Sequence, residues 1–533
     1  LKYRRWMVLG LVVAGLGTMG CSYSVASSEE RPNVLFFIVD DIDAHLMNFN
    51  PKSDGQNLTP TLDRLVAEGT VFTRQQIPSS VCTPSRFSCL TGLYANRSNV
   101  SRSNQLCKDA GMSLVSWTAM IDAQTPTLPR LLQKTGYFTG MSGKCHFAWF
   151  KGLRTPEGDS IYDPAVQKIM QANYELSVRQ VKQFGFDRVE SFYVYGQVHD
   201  NPVKELRQHN MDWITEGGLT FLDEAAQLDK PFYLYFSTTL PHTPHEDEDS
   251  WNADPRVTPL GMLDEPCRIL PERSTIPERL KKAGIPFTSR RAMMVAVDDA
   301  LKVLIEKLEA NGQLDNTVIF FFNDNGQEGK GTVYEGGITS PSVIWKKGGF
   351  KVGSTSDELV SNIDFAPTIA DWAGAAYGED TFDGISLVPL LDGKVKQLRD
   401  SAYAEMGFTR AVRKGDWKYI AYRMPSNARD LSTLYYKVPG DKTYGERPTF
   451  GHMAIRANNP SNGKDLYGMR VHAEKRWAAY WDADQLYYLP KDPNEQKNLA
   501  SDPQFAKKLA EMKEELRGHC ADIPGEFGEF KQQ

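Results

Sequence analysis

Four runs of apolar, β-prone residues constrain what this chain can fold into. They lie at 33–39, 137–142, 231–236 and 317–322. A strand with one face in water alternates apolar and polar residues; these runs do not. Unbroken apolar runs belong to strands covered on both faces, so they predict a largely parallel sheet. Each run leads into polar chemistry. Asp40-Asp41 follows the first, Gly143-Lys144-Cys145-His146 the second, Pro241-His242-Thr243-Pro244 the third and Asn323-Asp324-Asn325-Gly326 the fourth. Ligand sites in open parallel sheets lie at the carboxyl ends of the strands. Four distant segments are therefore expected to bring their polar residues to one edge.

Helical patterns alternate with these runs, as an α/β layered core requires. Thr59-Pro60 reads as N-cap and first helical residue, with Leu62, Leu65 and Val66 inward and Gly69 as the stop. A longer helix is expected over roughly 290–311, where Met294, Val297, Leu301, Leu304 and Leu308 recur at helical spacing before Gly312. Near residue 395 the pattern changes. Segments 410–413 and 417–422 read as strands joined by a Lys414-Gly415-Asp416 turn, 485–488 as another strand and 505–517 as a closing helix. A chain of 533 residues exceeds one simple domain.

Net charge is -6 with a pI near 5.9, which argues against general nucleic-acid binding but leaves room for a local basic pocket. Residues 1–28 read as an export signal, with Lys2, Arg4 and Arg5 ahead of a short apolar run. Gly20-Cys21 offers a lipoprotein cleavage site that would leave Cys21 acylated, although Thr18 is atypical there; cleavage near Ala26 is the other reading. The expected location is the periplasm, the exterior or, lipid-anchored, the bacterial cell envelope. Seven cysteines are present. With Cys21 and Cys82 otherwise used, an odd number remains, so no disulfide framework is expected.

Asp40, Asp41, Asp324 and Asn325 offer only oxygen ligands, which suit Ca²⁺ or Mg²⁺ rather than zinc. An Asp pair after one strand could simply cap a loop. A second acidic segment after another strand makes the metal reading stronger.

Cys82-Thr83-Pro84-Ser85-Arg86, followed by Leu90-Thr91-Gly92, resembles the signature of the type I, formylglycine-dependent sulfatases of the alkaline phosphatase superfamily. The resemblance covers roughly residues 32–510. It implies an α/β fold: an alkaline-phosphatase-like α/β/α sandwich with a mainly parallel central sheet, plus a smaller C-terminal α+β subdomain with an antiparallel sheet. The boundaries expected are 30–395 for the catalytic domain and 396–533 for the subdomain, with a long insertion near 423–477.

The same resemblance implies the chemistry. A maturation enzyme would read the motif on the unfolded chain and oxidise Cys82 to a formylglycine aldehyde. The hydrate of an aldehyde carries two hydroxyls on one carbon. One attacks sulfur, and loss of the other's proton expels sulfate and restores the aldehyde, so hydrolysis of a resistant sulfate ester becomes an elimination. Ca²⁺ is implied, held by Asp40, Asp41, Asp324, Asn325 and the modified Cys82. Arg86 would stay beside the aldehyde as a fixed cation. Lys144 and His146 match the family's G-K-x-H, as sulfate contact and as the base that triggers elimination. In an extended segment both would face one side. His242, in P-H-x-P, is the implied general acid, Lys330 a second sulfate contact and His245 a weaker candidate at the entrance. Cys89 and Cys145 read as packing.

The implied function is sulfate monoester hydrolysis on a sulfated carbohydrate. A phosphonate or phosphate diester hydrolase of the same superfamily is the near alternative, separable by rates on aryl sulfate and aryl phosphonate. A non-catalytic secreted glycan-binding protein is the alternative of another class. The 423–477 stretch is long and basic, from Arg423 through Arg447 and Arg470 to Arg476. It also carries Tyr435, Tyr444, Tyr467 and Trp477 as flat faces for sugar rings. It is expected to help bind the carbohydrate.

Overall fold

The computed structural model describes residues 31–195, 203–242, 253–350, 354–424 and 476–532. The leader with Cys21, His245 and most of the 423–477 stretch lie outside them. The large sheet is built from β1 (Asn33–Val39), β2 (Thr70–Phe72), β3 (Phe138–Lys144), β4 (Arg188–Tyr193) and β5 (Phe232–Ser237). A short hairpin, β6 (Val257–Thr258) and β7 (Gly261–Met262), stands apart from it. β8 (Thr317–Asn323), β9 (Ser342–Lys346) and β10 (Ser354–Ser356) complete it. The order is β10-β2-β9-β8-β1-β5-β3-β4. Only β9 runs against its neighbours; the other pairs are parallel.

The four apolar runs are β1, β3, β5 and β8, side by side at the centre of the sheet. Every residue of β1, β5 and β8 is buried. Their side chains feed two cores, one per face. Phe36, Tyr235 and Phe322 pack with Phe365 on one side, and Phe37, Phe236 and Phe321 with Leu301 and Leu304 on the other. Phe36 meets Phe322 edge-on at 4.8 Å, and Phe37 stacks on Phe236 at 5.0 Å. Such ring pairs contribute about 0.5–1.5 kcal/mol beyond their burial. The helix expected near 290–311 is Ser289–Ala310 and covers the second face.

Register aligns the strand ends. Val39 lies opposite Asn323, and Ile38 and Gly143 both lie opposite Ser237. β3 is interrupted against β4 between Ser142 and Gly143. Gly143 has φ +88°, and a Cβ there would sit 1.9 Å from the Ser237 carbonyl oxygen. Only glycine fits, and the kink immediately precedes Lys144.

A second, antiparallel sheet is formed by β11 (Ser401–Met406), β12 (Thr409–Lys414), β13 (Trp417–Tyr422) and β14 (Asp484–Tyr488). The closing helix runs from Ala506 to Asp522, longer than expected, because Met512, Leu516 and Cys520 seal that sheet. The described ends of the 423–477 stretch correct one expectation. Trp477 is 2% exposed and stacks flat on Tyr334 at 4.2 Å. Arg423 pairs with Asp484 and Glu529, and Arg476 pairs with Glu328. Trp477 is covered and offers no face to a sugar, and it and Arg476 tie this stretch to Tyr334 and Glu328, which precede the second sheet in the chain.

A buried ionic network ties the second sheet to the Glu335–Ile338 helix. Lys418 reaches Glu335 at 3.0 Å and Glu495 at 2.8 Å, and Arg413 reaches Glu335 at 2.5 Å. Burial pushes the Glu495 carboxyl up to about 7, against Lys418 and with help from Glu335. Burial also opposes ionisation of Glu335, yet Arg413 and Lys418 hold it at about 2. Glu335 therefore stays charged near neutrality and adds no slope there. Glu495 binds its proton more tightly folded than unfolded, so its contribution to stability is full at acid pH and is lost as pH rises through about 7. The melting temperature of the unaltered protein is expected to drop by about 2–4 °C relative to Glu495→Gln between roughly pH 5 and pH 8. Parallel pH profiles of the two melting temperatures would refute this.

Candidate active site

The aligned strand ends deliver Asp40 and Asp41 from β1, Asp324 and Asn325 from β8, Lys144 from β3 and His242 from the segment after β5. The loops carry the ladder past the strands: Asp324 N donates to Val39 O at 3.0 Å and Asp40 N to Leu240 O at 3.2 Å. Ligand atoms of Asp40, Asp41, Asp324 and Cys82 all lie within 4.8 Å of one another, and all four residues are buried.

Asn325 completes this cluster. Its Nδ2 donates to Asp41 Oδ1 at 2.9 Å and to Asp324 Oδ1 at 2.6 Å. Its Oδ1 is buried without a hydrogen-bond partner. A buried acceptor left unsatisfied costs about 1–3 kcal/mol. Burial pushes Asp324 above the usual carboxylate range, and Asp40 and Asp41 add to the rise against Arg86. Three crowded carboxylates and an unused amide oxygen fit a hard divalent cation. Asp41 has φ +68°, a left-handed conformation uncommon outside glycine but tolerated by Asp. Its N–H donates to Asp324 Oδ1 at 3.2 Å, which ties the two acidic segments together.

Cys82 opens the Cys82–Thr91 helix, all ten residues of which are buried, and Gly92 closes it with φ +68°. The Cys82 sulfur lies 3.7 Å from Asp40 Oδ1, 3.7 Å from Lys330 Nζ and 3.9 Å from Asn325 Nδ2. Burial, reinforced by Asp324, pushes the thiol well above its ordinary range. Arg86 sits one turn on. Its Nε and Nη2 donate to Asp324 Oδ2 at 3.1 and 2.9 Å, and Nη1 donates to Ser237 Oγ at 2.5 Å and Tyr235 OH at 3.3 Å. Its fork thus braces the acidic cluster from below.

Lys144 Nζ lies 2.6 Å from Asp40 Oδ2, and Lys330 Nζ lies 2.5 Å from Asp41 Oδ2. Both ammonium groups titrate above their usual range; burial works against this, and Asp40 and Asp41 respectively outweigh it. Gly331 N donates to Ser80 O and Ser80 Oγ to Thr332 O, which hangs the Lys330 loop over Cys82. His146 is buried, but the extended-segment reading fails: its φ is +53°. The chain turns there as Cys145 N bonds Tyr193 O and His146 N bonds Val194 O. Burial, then Lys144 and Arg86, pushes the His146 imidazole well below its ordinary range, so it is neutral near pH 7. His242 Nε2 lies 3.4 Å from Asp41 Oδ2. The six described cysteines are all free, and Cys89 and Cys145 are buried as packing.

Sequence reasoning missed three residues at this edge. Tyr235 read only as a strand residue, Ser237 fell just beyond the 231–236 run, and Arg290 read only as a helix start. Arg290 Nη2 donates to Asp41 O at 2.6 Å and Nε to Asp43 Oδ2 at 2.7 Å. An arginine in the first turn of a helix, where the dipole favours acids, was the available signal.

A mainly parallel sheet with this cluster at its carboxyl edge defines an ester hydrolase of the alkaline phosphatase superfamily. The family model for sulfatases matches residues 32–375, and that for the C-terminal part of N-sulphoglucosamine sulphohydrolase matches 325–435. The chain belongs to the sulfatase family and is a sulfuric ester hydrolase. It is 27% identical to human N-acetylglucosamine-6-sulfatase over 410 residues, covering 72% of this chain and 68% of the relative. It is 25% identical to the ulvan-active sulfatase of Formosa agariphila over 502 residues, covering 91% and 74%. Among solved structures, one in complex with its substrate D-glucosamine-2-N,6-O-disulfate shares the fold with a TM-score of 0.58. That likeness has 19% identity over 92% of this chain and 98% of the other.

Proposed function

We propose that this sulfatase removes sulfate from a sulfated carbohydrate, through a formylglycine made from Cys82 and a Ca²⁺ ion held by Asp40, Asp41, Cys82, Asp324 and Asn325. The carrying observation is the position of Cys82: at the start of a buried helix, beside the acidic cluster and under Lys330. The relatives that act on sulfated amino sugars and on ulvan share only a sulfated sugar, which sets the substrate class. Three cations, Arg86, Lys144 and Lys330, balance three carboxylates, so a bound divalent ion leaves the pocket two units positive, suited to an anionic ester.

When bound, the ion supplies a Lewis acid that draws charge from a sulfate oxygen. The oxidised Cys82 supplies the nucleophilic hydroxyl. Lys144 and Lys330 hold the outer sulfate oxygens through their ammonium groups. His242 donates its Nε2 proton to the bridging ester oxygen as the alcohol leaves; a ring nitrogen opposite a carboxylate is placed as a donor. His146, neutral at rest, takes up a proton on its ring when sulfate is released. Maturation by a formylglycine-generating enzyme and export through the 1–28 segment belong to the same reading. No helix among the described residues is long and apolar enough to cross a membrane.

Protonating the leaving oxygen matters most when that oxygen is a poor leaving group. His242→Ala is expected to lower kcat by about 10²–10³-fold on sulfated mono- and oligosaccharides and by less than about tenfold on an activated aryl sulfate. Equal losses would remove His242 as acid. An unaltered enzyme that turns over the aryl sulfate but no sugar sulfate in the panel would remove the carbohydrate reading.

A further inference from the structure

We propose that Arg290 is a positioning residue that fixes where His242 stands relative to Asp41, without touching substrate. The proposal rests on His242 acting in the reaction as described above. Arg290 lies in the first turn of the Ser289–Ala310 helix, whose N-cap Thr288 Oγ already accepts from Arg291 N at 3.1 Å. A cation there opposes the helix dipole and weakens the helix locally, so its position calls for another reason. The guanidinium turns away from solvent, with 15% of the side chain exposed. Nη2 donates to the carbonyl of Asp41, Nη1 to the carbonyl of Pro241, and Nε to Asp43 Oδ2.

Those two carbonyls belong to the backbones that carry the facing side chains. Asp41 is itself the acidic ligand candidate, and Pro241 immediately precedes His242. The two side chains meet at 3.4 Å between His242 Nε2 and Asp41 Oδ2. A planar fork of fixed geometry sets the separation of the two loops and hence of that pair. A lysine supplies the charge but not the fork, so it cannot hold both carbonyls and the Asp43 carboxylate in one plane. Asp41 has a left-handed backbone, φ +68°, and Arg290 grips that residue's own carbonyl.

The test is a double-mutant cycle between Arg290 and His242, on a sugar sulfate and an activated aryl sulfate, in protein whose calcium content and melting temperature are checked. Arg290→Gln and Arg290→Lys are each expected to lower kcat about tenfold or more on the sugar sulfate, with KM within about twofold, and less than about threefold on the aryl sulfate. Added to His242→Ala, either change is expected to cost nothing further. Full additivity in the cycle overturns the proposal, as does, where His242→Ala itself separates the two substrates, an equal loss on both in an Arg290 variant of normal calcium content. Arg290→Lys keeps the test open should the glutamine variant fold poorly. The general-acid reading fails separately, through equal losses in His242→Ala alone; non-additivity would then still report that Arg290 positions His242.

Discussion

Cys82→Ala is expected to lower sulfate-ester turnover by about 10⁴-fold or more, the scale of losing a covalent nucleophile, with little change in stability. The side chain is small and its sulfur makes only long contacts, at 3.7–3.9 Å, with Asp40, Lys330 and Asn325. Removing it should cost about 1 kcal/mol or less. Peptide mass spectrometry of active protein should find the aldehyde or its hydrate at position 82, in proportion to specific activity. Full activity in material that carries only unmodified cysteine would defeat the formylglycine reading.

The second large effect concerns Asp324. Its two oxygens accept from Arg86 Nε and Nη2, from the Asp41 N–H and from Asn325 Nδ2. Alanine there would leave a buried guanidinium short of its carboxylate, at a cost of about 3–5 kcal/mol. Asp324→Asn keeps the shape and removes the charge, so it isolates the ligand role. It is expected to abolish stoichiometric calcium by elemental analysis and to lower kcat about 10³-fold. Calcium at a hundred times its dissociation constant stabilises a specific binder by about 2.7 kcal/mol. Added calcium should therefore raise the melting temperature of the unaltered protein and not that of the variant. Stoichiometric zinc in purified protein, or unchanged activity in the variant, would overturn the calcium assignment.

The sheet was readable because burial on both faces leaves a mark no single residue carries: six apolar residues in a row in β1, 34–39, and five in β8, 318–322. The strand-end part of the site followed from it, since polar residues at the ends of parallel strands have one edge to share; Cys82, Arg86 and Lys330 were legible only through the family motif. His146 shows the limit. Alternation places side chains only while the backbone stays extended, and the chain turns left-handed at that residue. Arg290 shows another. Its partners are two backbone carbonyls, and carbonyls carry no sequence signal. Trp477 was misplaced for a third reason. An aromatic in a basic, irregular stretch looks available, yet a ring that meets Tyr334 face to face is already covered. The closing helix was read short because Cys520 and its neighbours owe their burial to a sheet most of whose strands lie about a hundred residues earlier in the chain.

The burial of the whole Cys82–Thr91 helix has a consequence in time. Cys82 is 1% exposed, and its neighbours Asp40 and Asp324 lie 42 and 242 positions away, so its surroundings close only when distant strands pair. On the formylglycine reading, an enzyme that must grasp the chain around Cys82 can do so only before that closure. Oxidation and folding then compete for each newly made molecule. A chain that folds first keeps a thiol it can no longer present, and it becomes a well-formed but inert copy. The specific activity of a preparation is then a ratio of two rates. The slow pairing expected of a sheet with such long-range contacts holds the window open.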